Sequence, residues 1–275
     1  MKLGIGSFTY PWAVGVPGHP PAAPLTALAL CQRALDFGIH VVQFADNLPL
    51  HRLPESAREE VLSFARHHHL ELEIGTRGVH AGQLTDCLAL AQRVGTRFVR
   101  LVIDSPGYEP DPDTVLRDLR PHVERFRSAG LRLGLENHDR FSAETLVRLV
   151  ETLGPDATGI VLDTVNSFGA LEGPEAVLPR LAPYTLNLHL KDFTVRRIPS
   201  QMGFVVEGCP AGQGRLDIPR LLQRLTPASA HVPSFPLNAI LELWTPRQAS
   251  VEETVALEQT WAQESLHHLR TLLHD

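Results

Sequence analysis

Short apolar runs alternate along the chain with longer segments whose apolar positions recur every three to four residues. The short runs predict β-strands, and the longer segments predict amphipathic helices. One such strand and one such helix recur roughly every 30 residues. Because parallel strands are joined by crossover connections that are usually helices, this alternation predicts an α/β fold with a parallel sheet.

The predicted strands are the segments 3–8, 40–45, 70–76, 97–103, 131–137, 159–163, 184–191 and 239–243. The predicted helices are the segments 24–37, 55–68, 82–94, 114–129, 142–153, 174–181, 217–225 and 251–273. Eight βα units in 275 residues fit a single (β/α)8 TIM barrel, one domain over residues 1–275, better than an open doubly wound sheet. An open sheet would place GxGxxG after its first strand, and segment 4–7 lacks the third glycine.

Composition excludes several classes of function. The formal net charge is −6 and no basic block occurs, so a nucleic-acid-binding surface is not expected. No apolar run reaches the ~18 residues of a membrane span, and the N-terminus lacks the features of a signal peptide. Cys31, Cys87 and Cys209 are odd in number and far apart, which predicts free thiols. These features predict a cytoplasmic protein without membrane or nucleic-acid partners.

Side-chain alternation predicts where chemistry can take place. Successive residues of a strand face opposite sides of the sheet. In segment 186–191 the three leucines are predicted to face the helices, and His189 and Lys191 to face the barrel axis. The C-terminal ends of barrel strands hold the active sites of TIM-barrel enzymes. Four consecutive predicted strands end there with an inward side chain able to bind a metal: Glu136, Asp163, His189 and Glu242.

These four residues predict a metal site. Three carboxylates aimed at one small volume repel each other and lose hydration, and a bound cation removes this conflict. Three carboxylates and one imidazole suit Mn²⁺, with Mg²⁺, Co²⁺ or Zn²⁺ as alternatives. The opposing interpretation is that each residue is an isolated interior polar group paired with a neighbouring arginine.

Five motifs in a fixed order carry a family resemblance: LGLENH at 133–138, VLDTVNS at 161–167, HLKD at 189–192, PAGQG at 210–214 and LEL at 241–243. Over its whole length the chain resembles the xylose isomerase-like TIM-barrel superfamily of sugar isomerases and epimerases, which also includes dehydratases and, more distantly, endonuclease IV. The resemblance implies that Glu136, Asp163, His189 and Glu242 bind one divalent metal. It also implies that Glu136 and Glu242 form the acid/base pair on opposite faces of the substrate.

The predicted function follows from this chemistry. A divalent metal that binds a ketone oxygen and the neighbouring hydroxyl acidifies the C–H bond between them and stabilises a cis-enediolate. We therefore expect an isomerase or epimerase of a small ketose or keto-polyol, acting in carbohydrate metabolism, with Glu136 and Glu242 as catalytic residues. The same enolate can expel a β-hydroxyl, so a dehydratase (a lyase) of a keto-sugar, keto-inositol or related cyclic ketone is the alternative. A barrel that binds sugar and metal for sensing is a third interpretation, and phosphorylation of the substrate and homo-oligomer formation stay open.

Two departures from the family pattern matter. Ketose epimerases typically carry a histidine at the position of Asn166. Endonuclease IV needs several further histidines for a trinuclear zinc cluster, and the third and fourth strands offer only His80 among Arg77, Arg100 and Asp104. An endonuclease IV-like nuclease is therefore only a distant alternative.

Further residues are predicted to contact a sugar-like substrate: His138, Lys191, Arg100 and Gln43. His138 and Lys191 share the inward parity of Glu136 and His189, whereas the alternative for Arg100 is to neutralise interior carboxylates. The segment 193–215 is longer than the usual connection of about 2–6 residues. We expect it to fold over the barrel mouth and to present Arg196 or Arg197 to the substrate.

Overall fold

The computed structural model describes residues 1–225 and 237–273. The barrel strands are β1 (Lys2–Gly6), β2 (Val41–Phe44), β3 (Glu71–Arg77), β4 (Phe98–Val102), β5 (Arg132–Glu136), β6 (Thr158–Asp163), β7 (Thr185–Leu190) and β10 (Asn238–Leu241). A separate hairpin consists of β8 (Asp192–Arg197) and β9 (Phe204–Cys209). The eight barrel strands are parallel and close in the order β1-β10-β7-β6-β5-β4-β3-β2, which confirms the predicted barrel.

The helices follow the strands in chain order: α1 (Pro11–Val14), α2 (Ala27–Asp36), α3 (Glu55–His67), α4 (Ala81–Val94), α5 (Pro112–Ser128), α6 (Ala143–Leu153), α7 (Pro174–Leu181), α8 (Ile218–Leu225) and α9 (Val251–Leu273). A continuous apolar core lies between these helices and the outer faces of the strands. A capping residue explains why one helix begins earlier than predicted. The predicted helix 114–129 begins at Pro112, because the Asp111 carboxylate accepts from the Thr114 N–H at 2.9 Å.

None of the helices in the described part of the chain is long and apolar enough to cross a membrane. The three cysteines are buried and unpaired, as predicted.

The barrel interior contradicts one prediction of side-chain orientation. Leu186 does not join the outer core with the other two leucines of β7; it packs with Phe98 and Val161 in a separate cluster. The register between β6 and β7 skips Leu186, because Ile160 pairs with Thr185 and the next residue pairs with Asn187. A bulge of this kind inserts one extra residue and breaks the alternation, so strict parity was wrong at this position.

Gly159 provides space for this interior cluster. A Cβ atom at Gly159 would lie 2.6 Å from Leu186 Cγ and 2.9 Å from the carbonyl oxygen of Tyr184. We expect Gly159→Ala to lower the free energy of unfolding by about 1–3 kcal/mol, because overpacking forces neighbouring atoms apart. Urea denaturation measures this change. Gly82→Ala is the matched control in α4, where a Cβ meets nothing within 4 Å; equal destabilisation by both variants would contradict the packing argument.

The long segment 193–215 contains most of an antiparallel hairpin of β8 and β9, and its position over the barrel mouth stays a prediction. Arg196 forms an ion pair with Glu207 across the hairpin, with Nη2 and Oε2 2.8 Å apart. The Arg197 guanidinium stacks over the Phe204 ring at 4.4 Å from its centroid. Both arginines therefore stabilise the hairpin itself, and their predicted contact with substrate has no support in this geometry.

Candidate functional site

The four predicted metal-binding residues lie at one end of the barrel. Glu136 and Asp163 are the last residues of β5 and β6, His189 is the penultimate residue of β7, and Glu242 follows β10 directly. Because all four strands are parallel, these positions share the C-terminal end. Each residue is almost fully buried, with at most 2% of its surface exposed. The structure therefore brings these residues together where strand parity predicted them.

Three of them form a compact donor group. Ligand atoms of Glu136, Asp163 and His189 lie within 4.8 Å of one another, so this buried triad can hold a metal ion. The Nε2 atom of His189 is buried and lacks a hydrogen-bond partner, whereas Nδ1 lies near two carboxylates. Because a buried polar atom without a partner is costly, the free Nε2 fits a metal ligand better than a structural histidine.

Glu242 lies beside this triad rather than within it. Its Oε1 is 3.1 Å from His189 Nδ1, and its Oε2 is 2.8 Å from Lys191 Nζ. Glu136 Oε2 approaches the same His189 nitrogen at 3.4 Å. Both glutamates therefore contact the same nitrogen of His189, and direct ligation of a metal by Glu242 stays a prediction.

Two buried cations accompany the carboxylates. Lys191 Nζ donates to Asp163 Oδ2 at 2.7 Å and also contacts Glu242. The Arg100 guanidinium pairs with Glu136 through Nε and with Asp46 through Nη1. A Cβ at Gly75 would lie 2.9 Å from Arg100 Cδ, so this glycine makes room for the arginine in the barrel interior. Arg100 thus neutralises interior carboxylates, as the alternative interpretation of this residue expected.

Asn166 orients the charged groups. Its Nδ2 donates to Glu136 Oε1 at 2.9 Å, and its Oδ1 lies 3.4 Å from Lys191 Nζ. The backbone N–H groups of Val165 and Asn166 donate to Asp163 Oδ1 at 2.8 and 2.9 Å. This turn leaves Asp163 Oδ2 to face the site. Asn166 therefore takes an active part in the site at a position where the sequence marked only a departure from the family.

These charges shift the titration of the buried groups. Burial raises the pKa of Glu136, but Arg100 and His189 outweigh this effect and hold it well below its usual range. Burial lowers the pKa of Lys191, but Asp163 and Glu242 outweigh it and raise that pKa, so the ammonium stays charged. Opposite charges in a low-dielectric interior produce these shifts.

Further polar residues extend from the triad toward the solvent. Asp46 accepts from Arg100 on one oxygen and from Arg77 Nε at 2.8 Å on the other. Arg77 Nη2 lies 3.2 Å from His138 Nε2, and His138 Nδ1 lies 2.9 Å from Asp139 Oδ2. Sequence reasoning missed Asp46, which lies two residues beyond the end of β2, where strand parity no longer applies. Its acidic side chain just after a barrel strand was the available signal.

Gln43 is separated from this group. Its Nε2 donates to Glu73 Oε2 at 2.9 Å and to Asn187 Oδ1 at 3.2 Å, and only 1% of the residue is exposed. Asn238 also donates to Glu73, at 2.8 Å. These residues form an interior polar layer inside the barrel. The structure does not bring Gln43 to the other predicted substrate-binding residues, because interior partners occupy its amide group.

Sequence comparison identifies the family of the chain. The model of the xylose isomerase-like TIM barrel family matches residues 31–272. The chain therefore belongs to the xylose isomerase-like TIM barrel family.

Individual relatives carry different activities. The chain is 32% identical over 273 residues to the 3-oxo-isoapionate decarboxylase of Pectobacterium atrosepticum, covering 98% of this chain and 96% of the relative. Among solved structures, the fold is similar to D-psicose 3-epimerase of Clostridium cellulolyticum H10, with a TM-score of 0.68, 14% identity and coverage of 100% and 99%. It is also similar to a family protein of Mycobacterium smegmatis in complex with magnesium, with a TM-score of 0.67, 15% identity and coverage of 97% and 96%. Decarboxylation and epimerisation thus both occur among proteins similar to this chain.

Proposed function

We propose that the chain is a divalent-metal-dependent decarboxylase of a small 3-oxo acid that carries sugar-like hydroxyl groups. The 3-oxo-isoapionate decarboxylase that supports this proposal is similar to the chain over almost the whole length of both proteins, and its name describes the decarboxylation of an oxo acid. The single structural observation that carries the proposal is the charge balance of the buried site.

That balance favours an anionic substrate. Glu136, Asp163, Glu242 and Asp46 contribute four negative charges, and Arg100, Lys191 and Arg77 contribute three positive charges in direct contact with them. The group is left with one net negative charge, which a dication turns into one net positive charge. A buried positive charge attracts a carboxylate substrate and stabilises the enolate that forms when carbon dioxide leaves.

The residues of the chain have distinct proposed roles. Glu136, Asp163, His189 and Glu242 would hold the ion, for which we propose Mn²⁺ because the donors are mainly oxygen with one nitrogen. When bound, the ion supplies a Lewis acid for the ketone oxygen. Lys191 holds Asp163 Oδ2 and Glu242 Oε2, and Arg100 holds Glu136, so these ligands keep their orientation. The C–C bond between the carboxylate and the adjacent carbon breaks, and carbon dioxide leaves. The electron pair of this bond forms the enolate, and the same carbon then takes a proton from water.

An isomerase or epimerase of a ketose is the second candidate. The observation that favours it is the approach of Glu242 and Glu136 to the same His189 nitrogen, at 3.1 and 3.4 Å. Two carboxylates at one centre can act as base and acid in successive proton transfers to a substrate. Lys191 and Arg100 neutralise these two carboxylates, however, which weakens them as bases.

A substrate panel separates these functions. We expect the Mn²⁺-loaded protein to release carbon dioxide from hydroxylated 3-oxo acids, measured with a coupled carbon dioxide assay and by mass spectrometry of the ketone product. In parallel, the protein is incubated with a panel of ketoses, and the products are separated by chiral chromatography. A change in configuration at constant mass would favour the epimerase, and loss of water would favour the dehydratase. The absence of carbon dioxide release from every oxo acid would overturn the decarboxylase proposal.

A further inference from the structure

One face of the hairpin of β8 and β9 is apolar. Residues that pair directly across two antiparallel strands have their side chains on the same face of the sheet. Val195 pairs with Val206, and Arg197 pairs with Phe204, so these four side chains share one face. We call it the apolar hairpin face. Its single charge belongs to Arg197, whose guanidinium stacks over the Phe204 ring.

The base of the apolar hairpin face is covered, whereas its outer part is open. Gly208 continues the face toward the base, and a Cβ atom there would lie 2.4 Å from the carbonyl oxygen of Trp244. Phe193 pairs with Gly208, and its ring contacts the Phe168 ring with their centroids 4.8 Å apart. Further out, Phe204 is 62% exposed. Two other segments of the chain therefore pack at the base of the hairpin and leave its outer part in solvent.

The exposed large apolar residues in the part of the chain that the structure describes lie on this hairpin or in the two segments at its base. They are 38–95% exposed: Leu171, Met202, Phe204, Val206 and Trp244. Met202 lies in the turn between β8 and β9, and Leu171 is three residues beyond Phe168. Large exposed apolar patches mark interaction sites, and an isolated two-stranded hairpin is only marginally stable in water. These residues therefore form a surface that a partner would cover.

The charges on the two sides of this surface differ in sign. The exposed Arg197 carries a positive charge on the hairpin. On the side of Leu171, Glu172 follows directly, and the Asp139 side chain is 67% exposed. Asp139 belongs to this side because a Cβ atom at Gly169 would lie 2.7 Å from its Cα. A two-fold axis brings the hairpin side of one copy to the acidic side of another, so the surface is complementary to itself in charge as well as in apolar character.

We propose that this surface binds a second copy of the chain and that the protein forms a two-fold symmetric dimer through the apolar hairpin face. The inference goes beyond the proposed function and does not depend on the proposed reaction. Removal of Phe204 and Val206 from water drives the association. The interface borders the candidate site, because the Trp244 ring centroid lies 5.7 Å from Lys191 Nζ. A membrane of anionic lipids fits this surface less well, since it would repel Asp139 and Glu172.

Sedimentation velocity of the full chain tests the proposal. We expect the wild type at micromolar concentration to sediment with twice the 30.4 kDa mass of one chain. Phe204→Asp and Val206→Asp should each raise the dissociation constant of the dimer about 30-fold or more, because each buries a charge in the apolar centre of the interface. Met202→Asp should weaken the dimer as well, and it perturbs the fold least because Met202 is 87% exposed. A wild type that is monomeric at every concentration, or a dimer that none of these variants weakens, would overturn the proposal.

Val205→Asp is the matched control for Val206→Asp. Val205 is the preceding residue of β9, but it pairs with Arg196 on the opposite face of the hairpin. The same substitution should therefore change the dissociation constant by less than about twofold there. Circular dichroism checks that each variant keeps its fold. Equal loss of the dimer in Val205→Asp and Val206→Asp would overturn the assignment to the apolar hairpin face.

A vesicle experiment tests the alternative occupant. We expect the wild type to stay in the supernatant when vesicles of phosphatidylcholine and phosphatidylglycerol are pelleted. A monomeric wild type that pellets with these vesicles, together with a Phe204→Asp variant that does not, would overturn the dimer in favour of a lipid surface. Neither experiment measures carbon dioxide release, so a failure of the dimer leaves the proposed decarboxylation intact.

Discussion

Replacing His189 by alanine is expected to weaken divalent metal binding by more than about 100-fold and to abolish turnover. The figure is a lower bound, because loss of residues that only support metal ligands already costs about 10–100-fold. His189 contributes the one nitrogen donor of the triad, and its buried Nε2 lacks a hydrogen-bond partner. Metal content by elemental analysis and Mn²⁺ titration by calorimetry measure the loss directly.

His40→Ala is the matched control for this variant. His40 is exposed and immediately precedes β2, at the end of the barrel opposite the triad. We expect it to keep the metal affinity and the activity of the parent protein. If His189→Ala bound Mn²⁺ as tightly as His40→Ala, the triad would not be the metal site and the proposed reaction would lose its basis.

Lys191→Met is expected to lower the free energy of unfolding of the metal-free protein by about 3–5 kcal/mol. Lys191 Nζ contacts Asp163 at 2.7 Å and Glu242 at 2.8 Å in a setting where only 5% of the residue is exposed. Its removal leaves two buried carboxylates without their cation, which is a costly arrangement. Mn²⁺ should restore part of this loss, because a dication neutralises the same carboxylates. Urea denaturation with and without Mn²⁺ measures both effects.

The chain provides its own control, since Lys2 is the only other lysine. Lys2 pairs with Glu71 at 2.7 Å, but its side chain is 55% exposed. Exposed pairs contribute about 0–1 kcal/mol, so Lys2→Met should change stability within that range. Similar losses in the two variants, or a loss in Lys191→Met that Mn²⁺ leaves unchanged, would argue against a shared role of Lys191 and the metal in neutralising the site.

The sequence was most informative where a periodic pattern reports directly on local structure. Alternation of strand and helix patterns predicted the closed barrel, and side-chain parity placed Glu136, Asp163, His189 and Glu242 at one end of it. Parity failed at Leu186, because the bulge between β6 and β7 depends on how two strands pair rather than on either strand alone. The sequence predicted a long loop after β7 but not the hairpin of β8 and β9, whose arginines make their contacts within the hairpin.

The residues of the candidate site likewise fall into those that the sequence predicted and those whose roles only the structure shows. Each predicted metal-binding residue was visible in the sequence because its strand ends with an inward polar side chain. Asp46, Arg77 and Asn166 gain their roles from contacts with residues on other strands, and no local pattern encodes those contacts. The same reason removed Gln43 from the site, since Glu73 and Asn187 occupy its amide inside the barrel.

By itself, the sequence determined the barrel, the end that holds the site and the residues able to bind a metal, because periodicity and residue chemistry act locally. Only the tertiary structure decided that Lys191 and Arg100 neutralise the site and that Glu242 lies beside the triad. Ion pairs between distant segments depend on distances of a few ångströms between side chains, and folding alone sets those distances.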